Sequence, residues 1–229
     1  MGSWNSDFRR LLGILLFILG VLAVAPPVCR AQTFELGLTG GYTRLNEPAL
    51  GAFDTSELNG KDDDVQLIGD KYVEGIRFTA NLWNYYGVEG EYLRTGALVK
   101  TRNSQDDGTG TAVVTTGEDK IHVNQISVNM IAYFMPRTRR WRPFITAGLG
   151  RATFGEPRID SWFRGSSTNY GFNYGGGIKL TPFRHAVIRL DARQYFSGKP
   201  WDPIYVGTDF KFGGIMHHWE ATVGIGASF

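Results

Sequence analysis

In the sequence HHWEATVGIGASF (217–229), the residues from His218 onward alternate without exception between two kinds of side chain. Every second position is apolar: Trp219, Ala221, Val223, Ile225, Ala227 and Phe229. The positions between them are polar or glycine: His218, Glu220, Thr222, Gly224, Gly226 and Ser228. A period of two residues is typical of a β-strand whose two faces meet different environments. We therefore predict a two-faced strand that runs to Phe229.

The same alternation returns seven times earlier in the chain. These further candidate strands are 33–44, 73–82, 86–94, 122–134, 142–154, 169–180 and 186–196. Each covers about nine to thirteen residues, the length that a tilted strand needs to cross a bilayer. No segment after residue 31 shows a convincing helical period of 3.6 residues. The sequence thus predicts an all-β protein with eight antiparallel strands.

The connections between these candidate strands alternate between long and short. The long ones are 45–72, 95–120, 155–168 and 197–216, and the short ones are 83–85, 135–141 and 181–185. In an up-and-down order, this alternation places all long loops at one rim and all short turns at the other. It is the arrangement of a bacterial transmembrane β-barrel, in which closure leaves no unpaired strand edge in lipid.

Charged residues occur on the polar and glycine-rich faces of these strands. The interior of an eight-stranded barrel has room for little more than its own side chains, which suits the glycine-rich faces, whereas the large apolar faces suit lipid. We therefore expect eight charged residues to line the lumen: Arg77, Glu89, Glu91, Lys179, Arg189, Asp191, Arg193 and Glu220. The alternative is a soluble, secreted β-barrel that binds a small apolar ligand inside.

The first 31 residues have the pattern of a secretory signal peptide. Arg9 and Arg10 precede an uncharged run at 11–25, and small residues follow before Ala31. The run is shorter than the ~20 residues of a spanning helix, although a membrane anchor or a lipoprotein signal at Cys29 is an alternative. We expect cleavage after Ala31 and a barrel domain at 32–229. Cleavage would remove the single cysteine.

Removal of this leader also changes the charge balance. The whole chain has 24 basic and 22 acidic residues; the leader takes three and one of them, which leaves 21 of each. The basic character of the whole chain therefore belongs to the leader, and nothing in the remainder indicates nucleic-acid binding.

Three segments carry a family resemblance: RPFITAGLGRATF (142–154), NYGFNYGGGIKLTP (169–182) and AVIRLDARQYF (186–196). They resemble the fifth to seventh strands of the small eight-stranded outer-membrane barrels, the OmpA-like and OmpX-like transmembrane domains. Phe229 resembles the C-terminal signature that the barrel-assembly machinery reads in that family. The resemblance implies an outer-membrane protein with lipid and this machinery as partners. We expect no peptidoglycan-binding domain after the barrel, so the resemblance does not imply wall anchoring.

The lumen charges have two interpretations, a structural plug of salt bridges or a narrow gated channel. The long loops are the expected place for an extracellular partner, because loops carry recognition on a rigid scaffold. We expect no catalytic residues, cofactor or metal site. A His-x-Ser pair on one strand face, as in the lipid A deacylase barrels, is absent, and the acidic run at 62–64 is more typical of a solvated loop.

Overall fold

The computed structural model describes residues 33–55, 61–106, 112–159, 165–201 and 215–229. The expected signal peptide, residues 1–31 with its cleavage site after Ala31, lies outside the described residues. Within these ranges, no helix has the length and apolar character needed to span a bilayer.

Eight strands make up the described chain. They are β1 (Thr33–Thr55), β2 (Lys61–Asn81), β3 (Tyr86–Asp106), β4 (Ala112–Tyr133), β5 (Trp141–Phe154), β6 (Ser167–Phe183), β7 (Ala186–Gly198) and β8 (Ile215–Ser228). Each strand pairs antiparallel with the next one, and β8 pairs with β1, so the sheet closes into a barrel. The predicted eight-stranded up-and-down barrel is confirmed.

The barrel closes along the seam between β1 and β8. Leu38 lies opposite Ile225 in the register of this pair. The backbone N–H of Phe34 donates to the carbonyl of Phe229 at 3.0 Å, and the N–H of Phe229 donates to the carbonyl of Phe34 at 2.9 Å. The alternating segment 217–229 therefore belongs to a strand with a partner on each side.

The distribution of side chains is the reverse of that in a soluble protein. Leu38, Leu149 and Ile225 point outward with 64%, 72% and 62% of their surface exposed. The inward positions between the apolar ones hold buried polar and charged residues instead. In water this arrangement exposes a large apolar surface, whereas in lipid it buries that surface and keeps the polar groups paired inside.

The loops expected at 45–72 and 95–120 are largely wrong, because the four strands β1 to β4 continue well into these segments. Here the polarity of the two faces inverts. Inward positions become apolar and form one buried cluster, which we call the upper core: Leu45, Leu67, Ala97, Val99, Ile121, Val123, Ala152, Phe154 and Met216. Outward positions become charged, as at Arg44, Arg94 and Lys120. Outward positions are no longer apolar at this level, and the sequence pattern therefore predicts loops where the strands continue.

Aromatic side chains surround the barrel at its short-turn end. The exposed ones there are Trp83, Tyr85, Tyr86, Phe134, Trp141, Phe183 and Phe229. Four aromatic residues of the described chain that lie near strand ends are buried inside the barrel: Tyr133, Phe144, Phe154 and Tyr195. Phe144 packs with Ile131 and Tyr133, and this apolar group fills the lumen near the short turns.

Candidate functional site: the charged lumen

Six charged side chains meet in the middle of the lumen. They come from β2, β3 and β7 and are all buried; we call them the six-residue cluster: Arg77, Glu89, Glu91, Arg189, Asp191 and Arg193. Residues two apart on a strand share a face, so β3 contributes two carboxylates and β7 contributes an alternating Arg-Asp-Arg row. With three arginines and three carboxylates, the cluster carries no net formal charge.

Arg77 joins the β2–β3 side of the barrel to β7. Its Nε donates to Glu91 Oε1 at 2.9 Å, and its Nη2 also contacts this oxygen. Its Nη1 donates to Asp191 Oδ2 at 3.0 Å. Since β2 and β7 are not neighbours in the sheet, this guanidinium crosses the interior of the barrel.

Arg193 makes the corresponding connection from β7. Its Nη2 donates to Glu89 Oε1 at 2.7 Å, and its Nη1 donates to Glu91 Oε2 at 2.9 Å. Its Nε donates to Asp191 Oδ1 at 2.9 Å. All three sides of this guanidinium therefore face a carboxylate, an arrangement that compensates for the cost of burying the charge.

Arg189 completes the cluster. Its Nη1 donates to Glu89 Oε2, its Nε lies 3.1 Å from Asp191 Oδ2, and its guanidinium carbon lies 4.1 Å from the centre of the Phe144 ring. Each arginine thus has more than one carboxylate partner, and each carboxylate has more than one arginine.

Lys179 lies in a separate layer nearer the short turns. Its ammonium group contacts Glu35 Oε1 at 2.8 Å, Tyr133 Oη at 3.0 Å and Asn81 Oδ1 at 3.1 Å. Glu35 is on β1 and Lys179 is on β6, so this ion pair also crosses the lumen. The alternation placed Glu35 on the polar face of its strand, but the set of expected lumen charges omitted it.

Glu220 lies in a third layer, on the long-loop side of the cluster. Its Oε1 is 3.4 Å from Nε2 of His218, and that nitrogen lies 3.2 Å from Oε1 of Gln125 on β4. The His218 ring stacks on the Tyr195 ring with a centroid separation of 5.1 Å. The structure therefore brings six of the eight expected residues into one cluster and places Lys179 and Glu220 in the layers on either side.

Glycines of β6 that lie opposite Arg193 and Asp191 make room for this network. A Cβ atom at Gly175 would lie 2.8 Å from Cγ of Arg193, and one at Gly177 would lie 2.7 Å from Cβ of Asp191. Real Cβ atoms do not approach other carbons so closely, and the inward glycines of β6 therefore provide the space into which the β7 side chains extend.

The spaces beside the network are small. One cavity of about 30 Å³ is lined by Arg77 and Arg189 together with the β1–β8 seam. Another of about 20 Å³ lies next to Gln125 and His218. A water molecule needs roughly 10–15 Å³, so each cavity has room for one or two waters.

The arrangement of the strands is similar to that in two solved structures. The outer-membrane protein OprG from Pseudomonas aeruginosa matches with a TM-score of 0.53 and 13% identity over 86% of this chain and 95% of that one. Neisserial surface protein A matches with the same TM-score and identity over 86% of this chain and 97% of that one. The chain has the fold of the small eight-stranded outer-membrane β-barrels. No protein-family model matches the chain, and no curated protein matches it in sequence.

At identities this low, the likeness to OprG and to Neisserial surface protein A concerns the fold alone. The described residues of the barrel contain no cluster of His, Cys, Asp and Glu side chains able to hold a metal ion. Phe229 lies at the short-turn end with its ring exposed, 6.5 Å from the ring of Phe34. Its recognition by an assembly machinery stays a prediction.

Proposed function

We propose that this chain is an integral protein of the bacterial outer membrane. In this proposal it is a non-enzymatic barrel whose lumen is filled and whose long-loop end contacts partners outside the cell. It reaches the membrane after a signal peptidase cleaves the chain after Ala31 and removes residues 1–31. Its partners are outer-membrane lipid and the barrel-assembly machinery. The observation that carries the proposal is the combination of an apolar exterior with a lumen crossed by ion pairs.

The exterior supports the membrane location. Outward positions such as Leu38, Val128 and Ile225 are exposed and apolar, while outward positions further toward the long loops are charged. This boundary between apolar and charged exterior is the expected position of the membrane surface. The closed sheet also suits a membrane, because every backbone group of a spanning segment must find its hydrogen-bond partner within the protein.

The interior supports a plug rather than an open pore. Three separate layers of the lumen are bridged from wall to wall: His218 with Gln125, the six-residue cluster, and Lys179 with Glu35. The apolar group of Ile131, Tyr133 and Phe144 lies beyond them near the short turns. An ion moving through the barrel would have to break several buried ion pairs, and breaking a buried pair costs about 3–5 kcal/mol.

The long-loop end supports a role in recognition. There β1 to β4 extend beyond the apolar exterior as β-structure around the upper core. A cleft of about 340 Å³ lies on its outer surface and is lined by charged and polar side chains that include Lys100, Arg102 and Glu118. A rigid scaffold that holds polar surface away from the membrane suits contact with an extracellular partner.

A narrow gated channel is the second candidate, and one observation favours it. Each arginine of the six-residue cluster has more than one carboxylate partner, so pairs can exchange while every charge keeps a partner. Exchange of the partners of Arg77 between Glu91 and Asp191 would open and close a path beside β7 by electrostatic interaction at short range.

Fractionation and conductance test these proposals together. We expect to recover the protein in the outer-membrane fraction. Its mass should equal that of a chain that starts at residue 32, and its migration in SDS gels should change on heating. Recovery in the soluble periplasmic fraction would refute the membrane proposal. Planar bilayers containing the protein should show no current above leak. Discrete currents that change when Arg189 is substituted by Gln would refute the filled lumen and support the gated channel.

A further inference from the structure

The turns at the short-turn end carry arginine and no acidic residue. Turn residues 82–85, 134–140 and 184–185 contain four arginines and neither aspartate nor glutamate. Arg137 is held by the structure, since its guanidinium donates to the backbone carbonyl of Asn81. The other three, Arg139, Arg140 and Arg184, are exposed; we call them the arginine patch.

The members of the arginine patch lie on one side of the rim. The turn between β4 and β5 contacts the end of β6, three residues before Arg184, because the N–H and hydroxyl of Thr181 donate to the carbonyl of Arg140 at 2.7 and 3.2 Å. Among the described residues, none of the three guanidinium groups has a carboxylate partner. The turn between β2 and β3 is uncharged, so the positive charge of this rim is concentrated under β4 to β7.

Exposed aromatic rings flank the arginine patch on the outer wall: Phe134, Trp141 and Phe183. Aromatic rings of membrane barrels lie at the level of the lipid headgroups. Arg140 directly precedes Trp141, Arg184 directly follows Phe183, and Arg139 is two residues before Trp141, so we expect the arginines at the depth of the lipid phosphates. A guanidinium at this depth offers a planar pair of donors that matches the oxygens of a phosphate.

We propose that the arginine patch binds the phosphate groups of anionic phospholipids in the leaflet next to the short turns. The inference rests on the proposed membrane location. The absence of carboxylates on the turns leaves the guanidinium groups available, and a net negative lipid supplies the complementary charge. A cation next to an anionic bilayer surface contributes roughly a fivefold gain in association. The patch thus selects phosphatidylglycerol-type lipids over zwitterionic ones.

The opposite boundary of the apolar exterior provides a matched control. Arg44, Arg94 and Arg151 also point outward, at the long-loop side. Arg94 lies directly opposite Glu74 in the strand register, and Arg44 lies directly opposite Asp70. The carboxylate of Glu74 competes with lipid phosphates for the guanidinium of Arg94, so this side of the apolar exterior is expected to select anionic lipid less strongly.

The test measures lipid selectivity at the protein surface. The full chain is purified from membranes and placed in phosphatidylcholine vesicles with spin-labelled phosphatidylglycerol or spin-labelled phosphatidylcholine, and the immobilised fraction of each label gives the relative association. We expect wild-type protein to prefer phosphatidylglycerol. The variant Arg139→Gln/Arg140→Gln/Arg184→Gln should lose at least roughly fivefold of this preference. The control Arg44→Gln/Arg94→Gln/Arg151→Gln should keep most of it.

The outcomes separate this inference from the membrane proposal. Heat-modifiable migration is checked first for every variant, and a wild-type chain that does not enter vesicles refutes the membrane proposal itself. If the triple variant does not fold, the single substitution Arg184→Gln replaces it in the same assay. Equal selectivity in wild type and patch variant refutes the lipid inference. So does sedimentation with purified peptidoglycan that requires the patch while lipid selectivity is unchanged.

Discussion

Substitution of Glu89 by Gln tests the energetic role of the six-residue cluster. Glu89 is fully buried. Its carboxylate contacts Arg189 and lies 2.7 Å from Arg193 and 3.5 Å from Arg77. Glutamine preserves the shape of the side chain and removes the charge, so the cluster changes from neutral to a net charge of one positive unit. Breaking a buried pair costs about 3–5 kcal/mol, and we expect a decrease of this size in the free energy of unfolding.

Two comparisons make this prediction specific. Glu118 is 65% exposed and lies 3.5 Å from Lys100, so Glu118→Gln makes the same chemical change in an exposed pair and should stay within about 1 kcal/mol of wild type. The double variant Glu89→Gln/Arg189→Gln restores neutrality, and Asp191 retains Arg77 and Arg193 as partners. Its decrease should be smaller than the sum of the two single decreases, by about 1–3 kcal/mol.

The assay is equilibrium urea unfolding of the barrel in vesicles, followed by tryptophan fluorescence and by the fraction that migrates as the folded form. Free energies of unfolding are compared between variants that have the same slope of free energy against urea concentration, so that a change in the midpoint reports a change in stability. The reasoning is refuted if Glu89→Gln unfolds within about 1 kcal/mol of wild type, as the exposed control does. Strict additivity in the double variant would show that Glu89 and Arg189 are not coupled.

Three further predictions concern the exterior, the lumen wall and the strand extensions. Leu38→Arg places a charge on the apolar exterior and should lower the free energy of unfolding by roughly 2–4 kcal/mol, whereas Val114→Arg, above the apolar exterior, should leave urea unfolding nearly unchanged. Gly175→Val fills the space that an arginine side chain occupies, and we expect loss of the heat-modifiable band. The carboxylate of Asp119 accepts the backbone N–H of Arg158 at 2.7 Å, which holds the pKa of this carboxyl below its ordinary value. Its contribution to stability is therefore complete above the ordinary pKa and is lost as the pH falls through the lowered one; an NMR titration with a midpoint at or above the ordinary value would contradict this.

The number of strands and the direction of their faces could be predicted from the sequence because both follow from a period of two residues. The alternation at 217–229 and its seven counterparts gave all eight strands, and the polarity of the faces gave the inward direction of Arg77, Glu89 and Arg193. Sequence alone could not predict which charged side chains form ion pairs in the lumen. Arg77 meets Asp191 across the lumen because of strand order and stagger, which involve residues far apart in the chain.

The ends of the strands could not be predicted, because a strand was recognised by apolar residues on its outer face and polar residues on its inner face. This pattern holds only where the outer face meets the same environment along the whole strand. At Leu45, Leu67 and Ile121 the apolar residues turn inward, since the wall there no longer faces the environment that it faces at Leu38. An alternation with the opposite polarity was read as a loop. The inward position of Phe144 could not be predicted for the same reason, because an aromatic residue at a strand end suits either a headgroup layer or the cap of a filled lumen.

The inversion of polarity along β1 to β4 has a consequence for the position of the barrel along the membrane normal. A shift toward the long-loop side would bring Leu38 and its neighbours into water, at about 25 cal/mol for each Å² of apolar surface. A shift the other way would carry Arg44 and Arg94 into hydrocarbon, at a cost that rises from about 0–1 kcal/mol at the interface to roughly 2–4 kcal/mol at the midplane. Both displacements are unfavourable, so the depth of immersion is determined by two opposing penalties along the same strands.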